Sequence, residues 1–277
     1  MRLIASTAAA VVFAFAFVST GALPFGRYAS AADFASQYKA AFDDFNGRAK
    51  DGSAQSCADK AAEAVKLAAN DNEKFDGLVL QARCTYFVGT RLKKDDDKIR
   101  VFGDSKSLAE KAKNLLKDRA EGYYWYGVSL GRWAEANGIM KSLGERHNLR
   151  RTMETVLTKG AVVDGKNVPG KEYEAYGANR TLGRMYFRLP GMFGGDNRKS
   201  EELFREAVAK SAAYPETLNA IWFAEVLVAN GKKAEARQVL DFVIQFENEP
   251  AKYNADRVAE YVDLIGDAKA LRKEIGN

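Results

Sequence analysis

Three consecutive segments of the 277-residue chain decide its fold: Leu182-Gly183-Arg184-Met185-Tyr186, Leu189-Pro190-Gly191-Met192-Phe193-Gly194-Gly195-Asp196 and Ser200-Glu201-Glu202-Leu203-Phe204. The first segment places a large apolar residue, a small residue and an aromatic residue on one helix face. The second is rich in glycine and contains a proline, which are typical of a loop. The third starts a new helix, in which an aromatic residue follows a small one after four positions. The stretch therefore predicts a helix, a loop and a second helix.

The spacing Leu182-Gly183-x-x-Tyr186, followed by Ser200-x-x-x-Phe204, is that of a tetratricopeptide repeat, although Ser200 stands where alanine is usual. The pattern returns over residues 220–240. Four comparable helices are marked by small residues at Ala82, Gly127, Gly183 and Ala224. We therefore predict an all-α, tetratricopeptide-like α-solenoid of stacked antiparallel helix pairs, with about ten or eleven helices. Its most regular part is expected at residues 172–247.

The N-terminus has the three parts of a secretory signal peptide: the basic Arg2, an apolar run over residues 3–18, and then small residues. Cleavage after Ala31 fits the small-x-small rule, and cleavage after Ala22 is the alternative. The apolar run is shorter than the ~20 residues that span a bilayer, so a signal peptide (residues 1–31) is favoured over a membrane anchor. We expect residues 32–277 to form a single helical-repeat domain that is periplasmic or secreted, without stable membrane insertion after cleavage.

The charge pattern argues against nucleic-acid binding. The net charge of +5 falls to +3 when residues 1–31 are removed, because they contain two arginines and no acidic residue. The remaining charges are interspersed, and Asp95-Asp96-Asp97 separates the basic residues of 91–94 from those of 98–100. Nucleic-acid-binding domains instead concentrate basic residues on one face.

Cys57 and Cys84 are the only cysteines of the sequence. In an oxidising compartment a disulfide bond is favoured. If residues 53–69 and 73–89 are antiparallel helices that turn near Asn70, the two cysteines lie at the same level of the hairpin. Closing that loop would stabilise the fold by about 3–4 kcal/mol. Two free, buried thiols are the alternative.

No catalytic or metal-binding constellation is apparent. His147 is the only histidine, so a zinc site of nitrogen and sulfur ligands has too few donors, and this histidine would have to act as the base for a nucleophile that no pattern identifies. The glycine-rich residues before 197 could cradle an anion at a helix N-terminus, but Asp196 is expected to cap that helix instead. Glu174 and Glu201 are interpreted as solvated or helix-start charges. We therefore expect a protein that is not an enzyme and that has no cofactor or metal.

Aromatic residues accompany arginines on the helices that are predicted to form the concave face. Such a surface suits a carboxylate-bearing organic ligand or a peptide, although aromatic residues at helical spacing also fit a core. The candidate binding residues are Arg83, Tyr86, Trp125, Tyr126, Arg132, Trp133, Arg180, Arg184 and Tyr186. The candidate loop residues are Leu189, Pro190, Gly194, Gly195 and Asp196.

Residues 123–131 and, more specifically, residues 188–208 resemble the T-component family of tripartite ATP-independent periplasmic (TRAP) transporters. In that family an aromatic helix is followed by a Leu-Pro-x-x-x-Gly-Gly-Asp loop and a helix that bears Phe and Ala, matched here by residues 189–196, Phe204 and Ala207. The resemblance implies an all-helical periplasmic accessory protein that docks onto a solute-binding protein and offers a path for a hydrophobic ligand. Family members are often lipid-anchored, whereas this sequence has no cysteine beside the predicted cleavage site.

These observations predict a non-catalytic scaffold or adaptor that binds a protein partner, such as the solute-binding protein of a periplasmic transporter. A homo-oligomer is compatible with the same architecture. The alternative is a periplasmic protein that binds a small apolar or carboxylate-bearing ligand in a cavity lined by aromatic residues and arginines. An enclosed cavity over the candidate residues would favour the ligand binder, and an open groove with exposed aromatic side chains would favour the adaptor.

Overall fold

The computed structural model describes residues 26–211, 216–253 and 255–276, with side chains from Asp33 onward except that of Asp256. Residues 1–25 of the predicted signal peptide, and with them the cleavage site after Ala22, lie outside these ranges. The site after Ala31 falls within the first helix. In the part of the chain that is described, no helix combines the length and the hydrophobicity needed to cross a membrane.

The all-α prediction is confirmed. The described residues form twelve α-helices, and one of them has only four residues, which accounts for the difference from the ten or eleven predicted. The helices are α1 (Gly26–Asn46), α2 (Ser53–Leu67), α3 (Asp71–Thr90), α4 (Asp95–Leu115), α5 (Ala120–Asn137), α6 (Arg146–Thr158), α7 (Tyr173–Arg188), α8 (Asn197–Lys210), α9 (Thr217–Ala229), α10 (Lys233–Ile244), α11 (Pro250–Tyr253) and α12 (Val258–Ile275).

Successive helices pack against each other and alternate between two layers. In the inner layer α3 contacts α5, α5 contacts α7, α7 contacts α9, and α12 continues the row beyond α9. The outer layer is formed by α4, α6, α8 and α10, each packed on its inner neighbours. The four small residues that mark the repeat pattern lie on α3, α5, α7 and α9, so the sequence pattern identifies the inner helices.

The small residues let the paired helices approach closely. A Cβ atom on Gly183 would lie 2.8 Å from the ring of Phe204 on α8. Ser200 of α8 donates a hydrogen bond of 2.8 Å to the main-chain oxygen of Gly183. Ser105 of α4 makes the same 2.8 Å bond to the oxygen of Ala82 on α3. Serine at the usual alanine position therefore ties the outer helix to the inner one.

Gly183→Ala is expected to lower the free energy of unfolding by about 1–3 kcal/mol, because the added methyl group overpacks the contact with Phe204. Gly131→Ala, also on an inner helix, is the matched control, since the nearest atom to its added Cβ would be 3.8 Å away on Leu149. Alanine is a better helix former than glycine by about 1 kcal/mol, so the control should be neutral or more stable. Urea denaturation of both variants measures the difference, and equal stabilities would contradict the close-packing argument.

The connection after α6 contains the turn residues Asp164-Gly165 and Pro169-Gly170, which predict a loop over residues 162–171. The structure instead has an antiparallel hairpin there, formed by β1 (Gly160–Val163) and β2 (Lys166–Pro169). Asp164 and Gly165, both with positive φ (49° and 73°), form its two-residue turn, as Asp-Gly does in many hairpins. The prediction was wrong because strands of four residues are too short to show a sustained alternation.

The structure also corrects three helix boundaries. The charged residues 90–104 predict a connection, and helical spacing predicts helices over residues 139–159 and from about Tyr253 to Ile275. Residues 95–104 are not a polar connection but the beginning of α4, where Asp95, Asp96 and Asp97 occupy the first turn, which favours negative charge. The helix predicted over residues 139–159 is preceded by a short 3-10 helix at Leu143–Glu145 and begins only at Arg146. The last long helix begins at Val258 instead of near Tyr253.

Cys57 on α2 and Cys84 on α3 form a disulfide bond, with Cα atoms 5.8 Å apart. Asn70 caps α3 at the turn between the two helices, where its side chain accepts a hydrogen bond from the main-chain N–H of Glu73. Both cysteines are fully buried and pack with Phe45 of α1. The bond therefore links α2 to α3 inside the core that these helices share with α1.

Candidate functional site

The two ends of the helical array meet. Arg48, which follows α1, forms an ion pair with Glu260 of α12. Arg91, which follows α3, forms an ion pair of 2.5 Å with Asp263 of α12. The inner helices therefore close into a ring, in which the last long helix stands next to the first ones.

A cavity of 560 Å³ lies inside this ring. Its wall is formed by α3, α5, α6, α7, α9 and α12. It extends from Tyr124 and Glu174, near the beginnings of α5 and α7, to Glu135 and Arg188, near the ends of the same helices. From Tyr124 to Glu135 the distance along the helix axis is about 16 Å at the usual rise per residue. The cavity is therefore elongated and follows the inner helices.

Glu174 is the centre of a buried ion-pair network at one end of the cavity. Its carboxylate lies 2.7 Å from Arg83 of α3 and 2.9 Å from Arg257, the residue that precedes α12. Burial alone would raise the pKa of Glu174, but the two guanidinium groups lower it to about 2. Glu174 does lie in the first turn of α7, as one of the two interpretations expects, but the alternative that Glu174 and Glu201 are solvated was wrong, since both are buried and paired with basic side chains.

The low pKa of Glu174 predicts a specific dependence of stability on pH. Because the folded-state pKa lies below the ordinary value of 4.5, the stabilisation is present above pH 4.5 and is lost as the pH falls towards 2. The natural protein is therefore expected to lose about 2 kcal/mol more free energy of unfolding than the Glu174→Gln variant when the pH is lowered from 6 to 3. Parallel urea denaturation at both pH values measures it, and a difference that does not change with pH would contradict the assignment.

An unusual backbone conformation presents Glu174 to its partners. Glu174, Ala175 and Tyr176 all have left-handed dihedral angles, with φ of 52°, 52° and 61°. For L-residues this conformation costs roughly 1–2 kcal/mol per residue. Asn219 of α9 holds the turn by donating a 2.9 Å hydrogen bond to the main-chain oxygen of Ala175. The strained turn therefore lies in the cavity wall and joins α7 to α3, α9 and α12.

Arg180, a predicted binding residue, is fully engaged by protein groups. It donates hydrogen bonds of 2.9 Å to the hydroxyl of Tyr124 and 2.9 Å to the side chain of Asn219. It also pairs with Glu216 at 3.2 Å. Arg180 is buried, so we assign it to the framework of the cavity wall.

A cluster of three arginines surrounds Glu135 towards the opposite end of the cavity. Glu135 pairs with Arg132 at 2.8 Å, with Arg184 at 3.2 Å and with Arg188 at 3.9 Å. Arg184 also pairs with Glu225 of α9. Within this cluster three guanidinium groups face two carboxylates, whereas the whole lining contains seven arginines and eight carboxylates. The arginine cluster, and not the cavity as a whole, is therefore the place suited to an anionic group.

Aromatic side chains form the wall between the two ends. The ring centroids of Tyr86 and Trp125 lie 5.6 Å apart in an edge-to-face arrangement, and Phe87 contacts both. Trp125 donates a 3.1 Å hydrogen bond to the hydroxyl of Tyr173, which satisfies its only polar group. On the other side of the cavity, Trp222 of α9 lies under the guanidinium group of Arg184.

The structure brings some of the predicted binding residues together and separates others. Those that line the cavity are Tyr86, Trp125, Arg132, Arg180, Arg184 and, from the loop, Leu189. Four predicted residues lie outside the lining: Arg83 pairs with Glu174, Tyr126 accepts a hydrogen bond from Asn148, Trp133 lies beneath Lys106, and Tyr186 lies beneath Lys199. The loop residues Pro190, Gly194, Gly195 and Asp196 are also outside it. Sequence reasoning missed the lining residues Glu135, Trp222 and Glu225, together with the acidic residues of α12.

The glycine-rich loop has the structural role predicted for it. Asp196 caps α8 by accepting hydrogen bonds of 3.0 Å from the main-chain N–H groups of Arg198 and Lys199. A Cβ atom on Gly195 would lie 1.8 Å from the main-chain oxygen of Leu189, so this position requires glycine. The carboxylate of Asp196 therefore occupies the place where an anion would meet the helix N-terminus.

His147 is exposed at the beginning of α6. Within the described ranges, no three histidine, cysteine or acidic side chains come close enough together to hold a metal ion.

The sequence matches no protein-family model, and no curated protein matches it.

Proposed function

We propose that the protein is a non-catalytic receptor that holds a small organic molecule in the cavity inside the helical ring. The observation that carries this proposal is the cavity itself, whose lining includes the aromatic candidates Tyr86 and Trp125. Both side chains are buried in the hydrophobic core beside the cavity, so neither presents an exposed ring on an outer groove. The volume of 560 Å³ falls within the range of roughly 300–1,000 Å³ that is usual for small-molecule sites.

The wall chemistry supports an elongated ligand with an apolar or aromatic body and one acidic group. The body would contact Trp125, Met185 and Trp222, and the acidic group would face the arginines around Glu135. The charged side chains at the other end already have partners within the protein, since Glu174 pairs with Arg83 and Arg180 pairs with Glu216. That arrangement favours binding over catalysis, because a reacting acid or base has to be available to its substrate.

A cavity-filling substitution tests this proposal. Val128, on the cavity side of α5, is replaced by tryptophan, and Val163→Trp on the exposed face of β1 is the matched control. The uncharged fluorescent dye N-phenylnaphthylamine should bind the natural protein and the control with one saturable site. We expect Val128→Trp to lose at least about tenfold in affinity, because the indole occupies the space of the dye. A Val128→Trp variant that unfolds like the natural protein and binds the dye equally well would contradict the proposal.

An exported location is part of the same proposal. It is supported by the predicted signal peptide and by the Cys57–Cys84 bond, since disulfides persist in oxidising compartments. Fractionation of cells that produce the full chain, followed by detection of the protein in the periplasm or the medium, tests it. Recovery of the protein only from the cytoplasm would contradict it.

A second candidate function is the adaptor suggested by the resemblance to the T-component family. The observation that favours it is Met192, which is 86% exposed in the loop between α7 and α8 that carries this resemblance. A solute-binding protein that docks on the loop would be retained by the natural protein and by Val163→Glu, but not by Met192→Glu. Affinity capture from periplasmic extract measures this, and equal retention by both variants would exclude the loop as the docking surface.

A further inference from the structure

Two tyrosines line the cavity, and they differ in one respect. The hydroxyl of Tyr124 accepts a 2.9 Å hydrogen bond from Arg180. The hydroxyl of Tyr86 makes no hydrogen bond to a described residue, and it is not among their buried polar atoms without a partner, so water can reach it from the cavity. A ligand that displaces this water has to supply a partner for the hydroxyl, because a buried polar group without one costs about 1–3 kcal/mol.

The surroundings of Tyr86 make its hydroxyl a donor. Burial raises the pKa of the phenol, and Arg132 and Arg180 oppose this shift only in part, so the group stays protonated at neutral pH. Arg132 is held by Glu135 through Nη1 alone, which leaves its Nη2 group without a partner in the described chain. Both side chains line the same cavity. An oxygen that carries negative charge satisfies two such donors better than a neutral oxygen does.

We propose that Tyr86 and Arg132 together anchor the acidic group of the ligand, which identifies the ligand class as an aromatic or apolar monocarboxylate. The apolar body of this ligand lies against Trp125 and Phe87, which flank Tyr86. The anchor rests on the proposed function of the cavity as a ligand site. It goes beyond that function because it assigns the recognition of the acid to two named side chains.

A pair of dyes separates the anchor from the cavity as a whole. Anilinonaphthalenesulfonate carries an anionic sulfonate on the same ring system as N-phenylnaphthylamine, and the sulfonate stands in for the carboxylate. The natural protein should bind the sulfonate dye more tightly than the uncharged dye by about tenfold. Tyr86→Phe should remove most of this preference and leave the affinity for the uncharged dye within about twofold.

Two further variants complete the experiment. Arg132→Gln should weaken binding of the sulfonate dye by a similar factor, and it decides the outcome if Tyr86→Phe does not fold. Tyr123→Phe, on α5 but outside the cavity lining, is the control and should leave both affinities unchanged. Equal binding of the two dyes by the natural protein, or an unchanged preference in both Tyr86→Phe and Arg132→Gln, would overturn the anchor while the cavity proposal stands. Binding of neither dye by the natural protein would overturn both.

Discussion

Glu174→Ala is expected to lower the free energy of unfolding by about 3–5 kcal/mol, because it removes one partner from a buried ion-pair network. Arg83 and Arg257 approach the Glu174 carboxylate at 2.7 Å and 2.9 Å, and neither has another carboxylate at a comparable distance in the described chain. Without Glu174 their charges remain partly buried and uncompensated. Alanine does not relieve the left-handed backbone either, since only glycine adopts it without cost.

Glu63→Ala is the control for this variant. Glu63 pairs with Lys66 on the exposed face of α2, and such a surface pair contributes no more than about 1 kcal/mol. Urea denaturation followed by circular dichroism measures both variants against the natural protein. If Glu174→Ala were no more destabilising than Glu63→Ala, the network would contribute nothing to the ring.

The second large effect is expected from the disulfide bond. Replacing Cys57 and Cys84 by alanine should lower the free energy of unfolding by about 3–4 kcal/mol, because the bond closes a loop with a sequence separation of 27 residues. For a domain of this size the loss corresponds to a fall in melting temperature of about 6–16 °C. Calorimetry with and without dithiothreitol measures it. The reductant should have no effect on the double-alanine variant, and the same melting temperature for the oxidised and reduced natural protein would contradict the prediction.

The fold could be predicted from the sequence wherever its determinants lie close together in the chain. Gly183 and Phe204 are separated by 21 positions, and Asp196 caps a helix that begins one residue later. Such local patterns identify the helix pairs and the inner helices. The hairpin of β1 and β2 could also have been found, because Asp164-Gly165 between two valine-containing segments is a known turn signal.

The ring could not be predicted in the same way. Arg91 and Asp263 are 172 positions apart, and no periodicity indicates that the array curves until they meet. For the same reason the acidic residues of α12 were not recognised as cavity residues. Glu174 was misinterpreted because a glutamate near a helix start is usually exposed, and its burial depends on a left-handed turn that no residue type at these positions favours.

The closure of the ring by α12 has a consequence for how this protein can evolve. An open array of helical pairs can gain or lose a pair by duplication or deletion, because each pair contacts only its neighbours. Here an inserted pair would move Glu260 and Asp263 away from Arg48 and Arg91, and a deleted pair would force the same residues to collide. The number of helices and the width of the cavity are therefore fixed together. We therefore expect relatives of this chain to differ in ligand through substitutions of wall residues, since these leave the ion pairs that close the ring intact.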